Sequence, residues 1–167
     1  MIVLPATFQP IQTTTLSTAA ADVTFSSIPA TYTDLRLVFN GGSTGAAVNM
    51  TYQYNSDTGS NYSYTYLTGD GASATSSRGI STSNIFVNYY GYMTADNNTN
   101  MFIDIFNYSN STTNKTSLSR ANNAGNGTAT LVGLWRNTAA ITNIKLIAAG
   151  SSFRSGSIFT LYGVKAG

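Results

Sequence analysis

The sequence predicts an all-β fold: an antiparallel β-sandwich, jelly-roll-like, of about eleven short strands. Three observations predict it. Apolar and polar residues alternate at a period of two along much of the chain. No segment carries a sustained 3.6-residue apolar stripe. The alternating runs are rich in Thr, Tyr, Val, Ile and Phe, and Gly, Asn, Asp or Ser bound each of them.

The first two strands are expected at 13–16 and 23–26, with one helical turn between them where Ala19, Ala20 and Ala21 follow two hydroxyl residues. The third, 34–39, sends Leu35, Leu37 and Phe39 to one face. The fourth, 48–54, alternates Val48, Met50, Tyr52 and Tyr54 with polar residues, and the fifth, 62–66, repeats the pattern with Tyr62, Tyr64 and Tyr66. Turn formers fill 55–61, so these two strands are expected to pair as a hairpin. The stretch 69–83 shows no periodicity and reads as an exposed loop. The remaining strands are expected at 85–90, 101–107, 116–120, 129–135, 144–148 and 157–164.

Composition excludes several function classes. The 167 residues hold no Cys and no His, so the chain has no disulfide, no Cys- or His-ligated zinc site and no Ser-His-Asp triad. Charged residues are only 8% and the formal net charge is +2, too few cations to neutralise a phosphate backbone, so no nucleic-acid partner is expected. No apolar run approaches the roughly 20 residues of a membrane span, and no membrane partner is expected. The start, Met1 to Pro5, lacks the basic and apolar regions of a secretory signal. The length suits one sandwich domain, 13–167, preceded by a segment 1–12 that is either an extended arm or a first strand. That segment carries Ile2, Val3, Leu4, Phe8 and Ile11, and it is too apolar to sit free in water.

Chemistry-bearing residues are few. All six acids are Asp, and five of them fall at strand ends or turns, where a carboxylate caps nearby backbone N–H groups. Asp104 is the exception: it shares a strand face with Phe102 and Phe106 and needs a cation, for which Arg120 or Arg136 on a neighbouring strand is expected, as a structural ion pair. The segment 96–100 and Asp70 offer oxygen ligands but lack calcium-loop spacing, and they read as polar turns. No metal, cofactor or catalytic residue is expected. Eight of the eleven tyrosines fall within about forty residues: Tyr52, Tyr54, Tyr62, Tyr64, Tyr66, Tyr89, Tyr90 and Tyr92. Three readings stay open for them: a subunit interface, a core between sheets, and a platform for sugar. With 25 Thr, 20 Ser and 17 Asn, the exposed faces are hydroxyl and amide surfaces with little like-charge repulsion, suited to crowding against neighbours.

Several blocks resemble a family of small structural proteins of tailed bacteriophages. They are 13–17 (TTTLS), 23–35 (VTFSSIPATYTDL), 54–63 (YNSDTGSNYS), 103–109 (IDIFNYS), 133–142 (GLWRNTAAIT) and 156–165 (GSIFTLYGVK). The resemblance implies an all-β, multimeric, non-catalytic virion component. Its leading form is a capsid decoration (cement) protein, a homotrimer bound to the major capsid protein outside the head. Ile2, Val3, Leu4, Phe8, Tyr52, Tyr54, Tyr62, Tyr64, Tyr66, Tyr89 and Tyr90 are then expected at its interfaces. The alternative is a tail-fibre or receptor-binding module whose tyrosines and long loop bind host glycan.

Overall fold

The computed structural model describes residues 7–45, 47–89, 93–96 and 99–165. Ile2, Val3, Leu4, Tyr90 and Tyr92 lie outside the described residues, as do Asn97 and Asn98 of the 96–100 turn.

Twelve strands form two antiparallel sheets that pack as a sandwich. They are β1 (Phe8–Thr15), β2 (Asp22–Phe25), β3 (Asp34–Gly41), β4 (Met50–Tyr54), β5 (Tyr62–Gly69), β6 (Ala74–Thr82), β7 (Ile85–Phe86), β8 (Thr99–Phe106), β9 (Lys115–Asn123), β10 (Gly127–Trp135), β11 (Ile144–Ala148) and β12 (Ile158–Val164). The large sheet has the order β1-β12-β3-β8-β9-β10-β5-β6, and the small one β2-β11-β4-β7. Only β5-β6, β8-β9 and β9-β10 are sequential neighbours within a sheet; every other connection crosses between layers. This leaves eight strands against four, a less even division than that of a jelly roll.

Strand alternation explains the core. Leu35, Leu37 and Phe39 of β3, Met101, Ile103 and Ile105 of β8, and Phe159 and Leu161 of β12 all face the small sheet and are buried. From the small sheet they meet Val23, Phe25, Met50, Tyr52, Tyr54, Ile144 and Leu146. Of the segment 1–12, residues 8–12 belong to β1, which pairs with β12 at one edge of the large sheet.

Three expectations are corrected. Residues 55–61 do not close a hairpin, because β4 and β5 belong to different sheets. Asn55 and Ser56 do make the tight turn, both at positive φ, and Asp57 N–H donates to Tyr54 C=O. Both flanking strands carry their tyrosines on an inward face, and those faces meet across the core. The Tyr62 hydroxyl fastens the crossing, accepting from Tyr54 N–H at 3.1 Å and donating to Asp57 C=O at 3.0 Å. Secondly, most of the expected loop 69–83 is the nine-residue strand β6, exposed along nearly its whole length. The third correction concerns Ala19–Ala21: no helical turn forms there, because Ala20 bridges to Phe153 through reciprocal backbone hydrogen bonds.

Candidate functional site: the outer face of the large sheet

In a two-layer sandwich each sheet turns one face outward, and that of the eight-stranded sheet is the broader. The cross-strand register arranges that face in rungs. One rung runs Pro10, Tyr162, Arg36, Asp104, Leu118, Val132, Thr65, Arg78 from edge to edge. The next runs Thr13, Thr160, Val38, Phe102, Arg120, Thr130, Leu67, Ser76. A third is almost wholly polar at its centre, with Asn40, Asn100 and Asn122 side by side and Asn40 Nδ2 donating to Asn100 Oδ1 at 2.6 Å.

Among the described residues, every large hydrophobic side chain that is exposed lies on this face: Phe8, Leu67 (59%), Ile80 (58%), Phe106, Val132 (55%) and Ile158. Isolated exposed apolar residues are ordinary on a protein surface. Here they are confined to one face of one sheet. Near β6 the face dips into a shallow groove of about 430 Å³ between Ile80, Val132 and Leu134, with Arg78 and Arg136 at its sides.

The charged groups of this face are not arranged for acid–base chemistry. Asp104 pairs with Arg36, not with Arg120 or Arg136. Arg36 Nε donates to Asp104 Oδ1 at 2.5 Å and a terminal guanidinium nitrogen to Oδ2 at 2.7 Å. The reason is register: Arg36 stands directly opposite Asp104 across the β3–β8 ladder, whereas Arg120 opposes Phe102. The hydrogen bond to Asp104, outweighing partial burial, raises the Arg36 pKa. Arg36 also lies over the rings of Phe8 and Phe102, 5.2 and 5.3 Å from their centroids, and Arg120 covers the same Phe102 ring at 5.4 Å. Arg136 instead donates to the Ser63 hydroxyl at 2.7 Å and to Tyr62 C=O at 3.2 Å.

The tyrosines expected at an interface are placed inside. Tyr52, Tyr54 and Tyr62 are at most 1% exposed and Tyr66 is 6% exposed within the single chain, which removes them from any contact surface. Tyr54 packs on Trp135 at 5.5 Å, and Tyr62 stacks on the same indole at 6.2 Å. Burial drives the phenol pKa values up, to about 12 for Tyr62, and further for Tyr52 and Tyr54. Tyr64 and Tyr89 are half-buried at the margin, in a cluster with Tyr66 and Phe86.

The turn carboxylates cap backbone and indole N–H groups. Asp57 accepts from Gly59 N–H, Asn61 Nδ2 and Trp135 Nε1, the last at 2.7 Å. Desolvation raises its pKa, but these three donors together outweigh that and hold it below the usual carboxylate value. Asp70 accepts from the N–H groups of Ala72 and Ser73, and Asp34 from Asn107 N–H. Asp22 pairs with Lys145 at 3.2 Å. Among the described residues no three His, Cys, Asp or Glu side chains gather where they could hold a metal ion.

Of this face the sequence singled out Phe8, Asp104 with Phe102 and Phe106 on its strand face, and Arg120 and Arg136; Leu67, Ile80, Val132 and Ile158 were missed. The signal was present in strands apolar at both parities, such as Met101-Phe102-Ile103 in β8 and Leu131-Val132 with Leu134 in β10. Such runs place apolar side chains on both faces of a strand. No family model matches the chain, and no curated protein matches it in sequence.

Proposed function

We propose that this chain is a non-catalytic structural module of a bacteriophage virion, a decoration protein that lays the outer face of its large sheet on the major capsid protein of an assembled head. The observation that carries the docking role is the gathering of Leu67, Ile80, Phe106, Val132, Phe8 and Ile158 on that single face. The phage assignment rests on the sequence blocks that resemble small virion proteins. Low charge supports both, since a surface of Thr, Ser and Asn packs against neighbours without strong repulsion. Area buried across subunit boundaries stabilises a shell by mass action, because the bound protein favours the assembled state alone. The tail-fibre reading is less favoured, since Tyr52, Tyr54, Tyr62 and Tyr66 of its expected platform are core.

Quantifying the protein in purified particles of the phage that encodes it tests the assignment. Hundreds of copies per head are expected; tens would place it on a fibre, and none would refute a virion role. Recombinant Leu67→Asp and Val132→Asp chains test the face. They are expected to melt like the wild type and to lose binding to heads lacking the protein. Unimpaired binding would overturn the docking face.

A further inference from the structure

A sheet that does not close has edges, and an edge strand offers unpaired N–H and C=O groups to any other strand. Three of the four edges here are guarded. β1 carries Pro10 and a bulge between Pro10 and Gln12. β2 has four residues, one of them the ion-paired Asp22, and β7 has two. β6 differs: nine residues, ATSSRGIST, with no Pro, no Lys and no acid, exposed on both faces, and irregular only at its end beside Thr82.

The hydrogen-bond phase of β6 follows from its neighbours. Arg136 N–H donates to Asn61 C=O, just beyond the β5–β10 ladder, and Asp70 N–H donates to Ser73 C=O, just beyond β5–β6. Hydrogen-bonded and non-bonded pairs alternate along an antiparallel ladder. Ser63, Thr65 and Leu67 therefore bond to β10, while Tyr64, Tyr66 and Thr68 bond to Gly79, Ser77 and Thr75 of β6. The backbone groups of Ala74, Ser76, Arg78 and Ile80 point outward, to an edge with no partner strand among the described residues.

We propose that β6 is a self-association edge, pairing with β6 of a second copy about a two-fold axis at Ser77. The outward set is symmetric about that residue, two positions on each side. Turned by two-fold rotation, it meets its own pattern: Ser76 opposite Arg78 of the other copy and Ala74 opposite Ile80. About eight backbone hydrogen bonds close across the junction. The alternative register centred on Arg78 sets two guanidinium groups face to face, which like-charge repulsion disfavours. An isologous edge of this kind closes as a pair. The three-fold association expected from the resemblance would need two different complementary patches. The inference rests on backbone groups at the edge, whereas the docking face rests on side chains on the flat of the sheet.

The absence of Cys makes the register directly measurable. In a non-bonded pair the two Ser77 Cα atoms stand about 4.5 Å apart, inside the range of a disulfide. Ser77→Cys is expected to give a covalent dimer on mild oxidation, and Ser76→Cys, facing Arg78 of the other copy, to give little. Sedimentation of the unmodified chain at high micromolar concentration is expected to show a dimer. Ser76→Pro, which removes one outward N–H and no bond to β5, is expected to be monomeric with an unchanged melting point. A monomeric wild type, a Ser76→Pro chain that folds and still dimerises, or cross-linking of Ser76→Cys at least equal to that of Ser77→Cys would overturn the proposal. If Ser76→Pro does not fold, the two cysteine variants decide. Unimpaired head binding by Val132→Asp with the dimer intact would sink the docking face alone, and lost head binding by Val132→Asp with a monomeric wild type would sink this edge alone.

Discussion

Gly163 and Gly79 give a paired test of how tightly the large sheet is packed. Both lie on its inner side under a tyrosine ring, but the rings differ in freedom. A Cβ added at Gly163 would stand 2.3–2.4 Å from Cγ, Cδ1 and Cδ2 of Tyr32, the root of the ring. The root of the ring follows the main chain, which is tied there by Thr33 N–H to Val164 C=O and by Tyr32 N–H to the Tyr108 hydroxyl. At Gly79 the added Cβ meets the far end of Tyr64, Cζ, Cε1 and the hydroxyl, at 2.5–2.8 Å. Tyr64 is half-buried and can tilt. Overpacking in a fixed site costs about 1–3 kcal/mol. Gly163→Ala is therefore expected to lose about 2 kcal/mol, or roughly 4–8 °C in melting temperature for a chain of this size. Gly79→Ala is expected to lose about 1 kcal/mol or less, because a rotamer change relieves it. Urea unfolding followed by the emission of Trp135, the only tryptophan, reads both. In a Tyr32→Ala background the Gly163→Ala penalty should fall to a few tenths of a kcal/mol. A Gly163→Ala loss below about 0.5 kcal/mol, or a larger loss for Gly79→Ala, would refute the reasoning.

Further expectations concern the core and its titration. Tyr52→Phe leaves the buried Ser117 hydroxyl without its 2.6 Å partner and should cost about 1–3 kcal/mol, most of it recovered by adding Ser117→Ala; equal costs for the single and double variants would count against the pair. The raised phenol pKa values of Tyr52, Tyr54 and Tyr62 stabilise the fold below the unfolded tyrosine value near 10 and are lost as pH climbs from there toward the folded values, so stability should fall above about pH 10. Absorbance at an alkaline wavelength should show these phenols ionising with unfolding and not before it. Asp57 has the opposite sign: its lowered pKa contributes stability above the unfolded carboxylate range, lost as pH falls through the folded value, so Asp57→Asn should flatten the acid limb of a stability–pH curve. Asp104→Ala should cost less than about 1 kcal/mol, since Arg36 keeps its two aromatic neighbours and the pair is partly exposed; a larger loss in thermal unfolding would mean the pair is a structural keystone.

Strand positions were legible wherever one face was buried. Leu35, Leu37 and Phe39 alternate because one side of β3 meets the core, and that alternation is the whole signal. β6 was invisible for the same reason: both of its faces meet water, so Thr75, Ser77 and Gly79 differ little in polarity from Ser76 and Arg78. The false hairpin came from a correct turn. Asn55 and Ser56 fix the local bend, but the choice between pairing beside and packing across was made by Tyr54, Tyr62 and Trp135, whose rings need each other's faces. The partner of Asp104 could not be read from 101–106 alone, because register is a long-range property and places Arg36, 68 residues away, directly opposite.

Among the described residues the large sheet leaves both a flat face and an edge uncovered, and the two have different physics. Leu67, Val132 and Ile80 expose apolar side chains whose burial is worth about 25 cal/mol per Å², a non-directional drive that any complementary apolar surface satisfies. Ala74, Ser76, Arg78 and Ile80 expose backbone groups that water already satisfies, so pairing them yields little net free energy per bond but fixes register and direction. On the two proposals made above, the docking face would set how strongly this chain holds a neighbour, and the β6 edge which way round two copies stand. Ile80 belongs to both: its side chain lies on the face while its backbone points to the edge. Substituting Ile80 by Lys should weaken head binding through the lost apolar contact yet leave the dimer, whose bonds are backbone bonds, largely intact. Loss of both together would show that face and edge act as one surface.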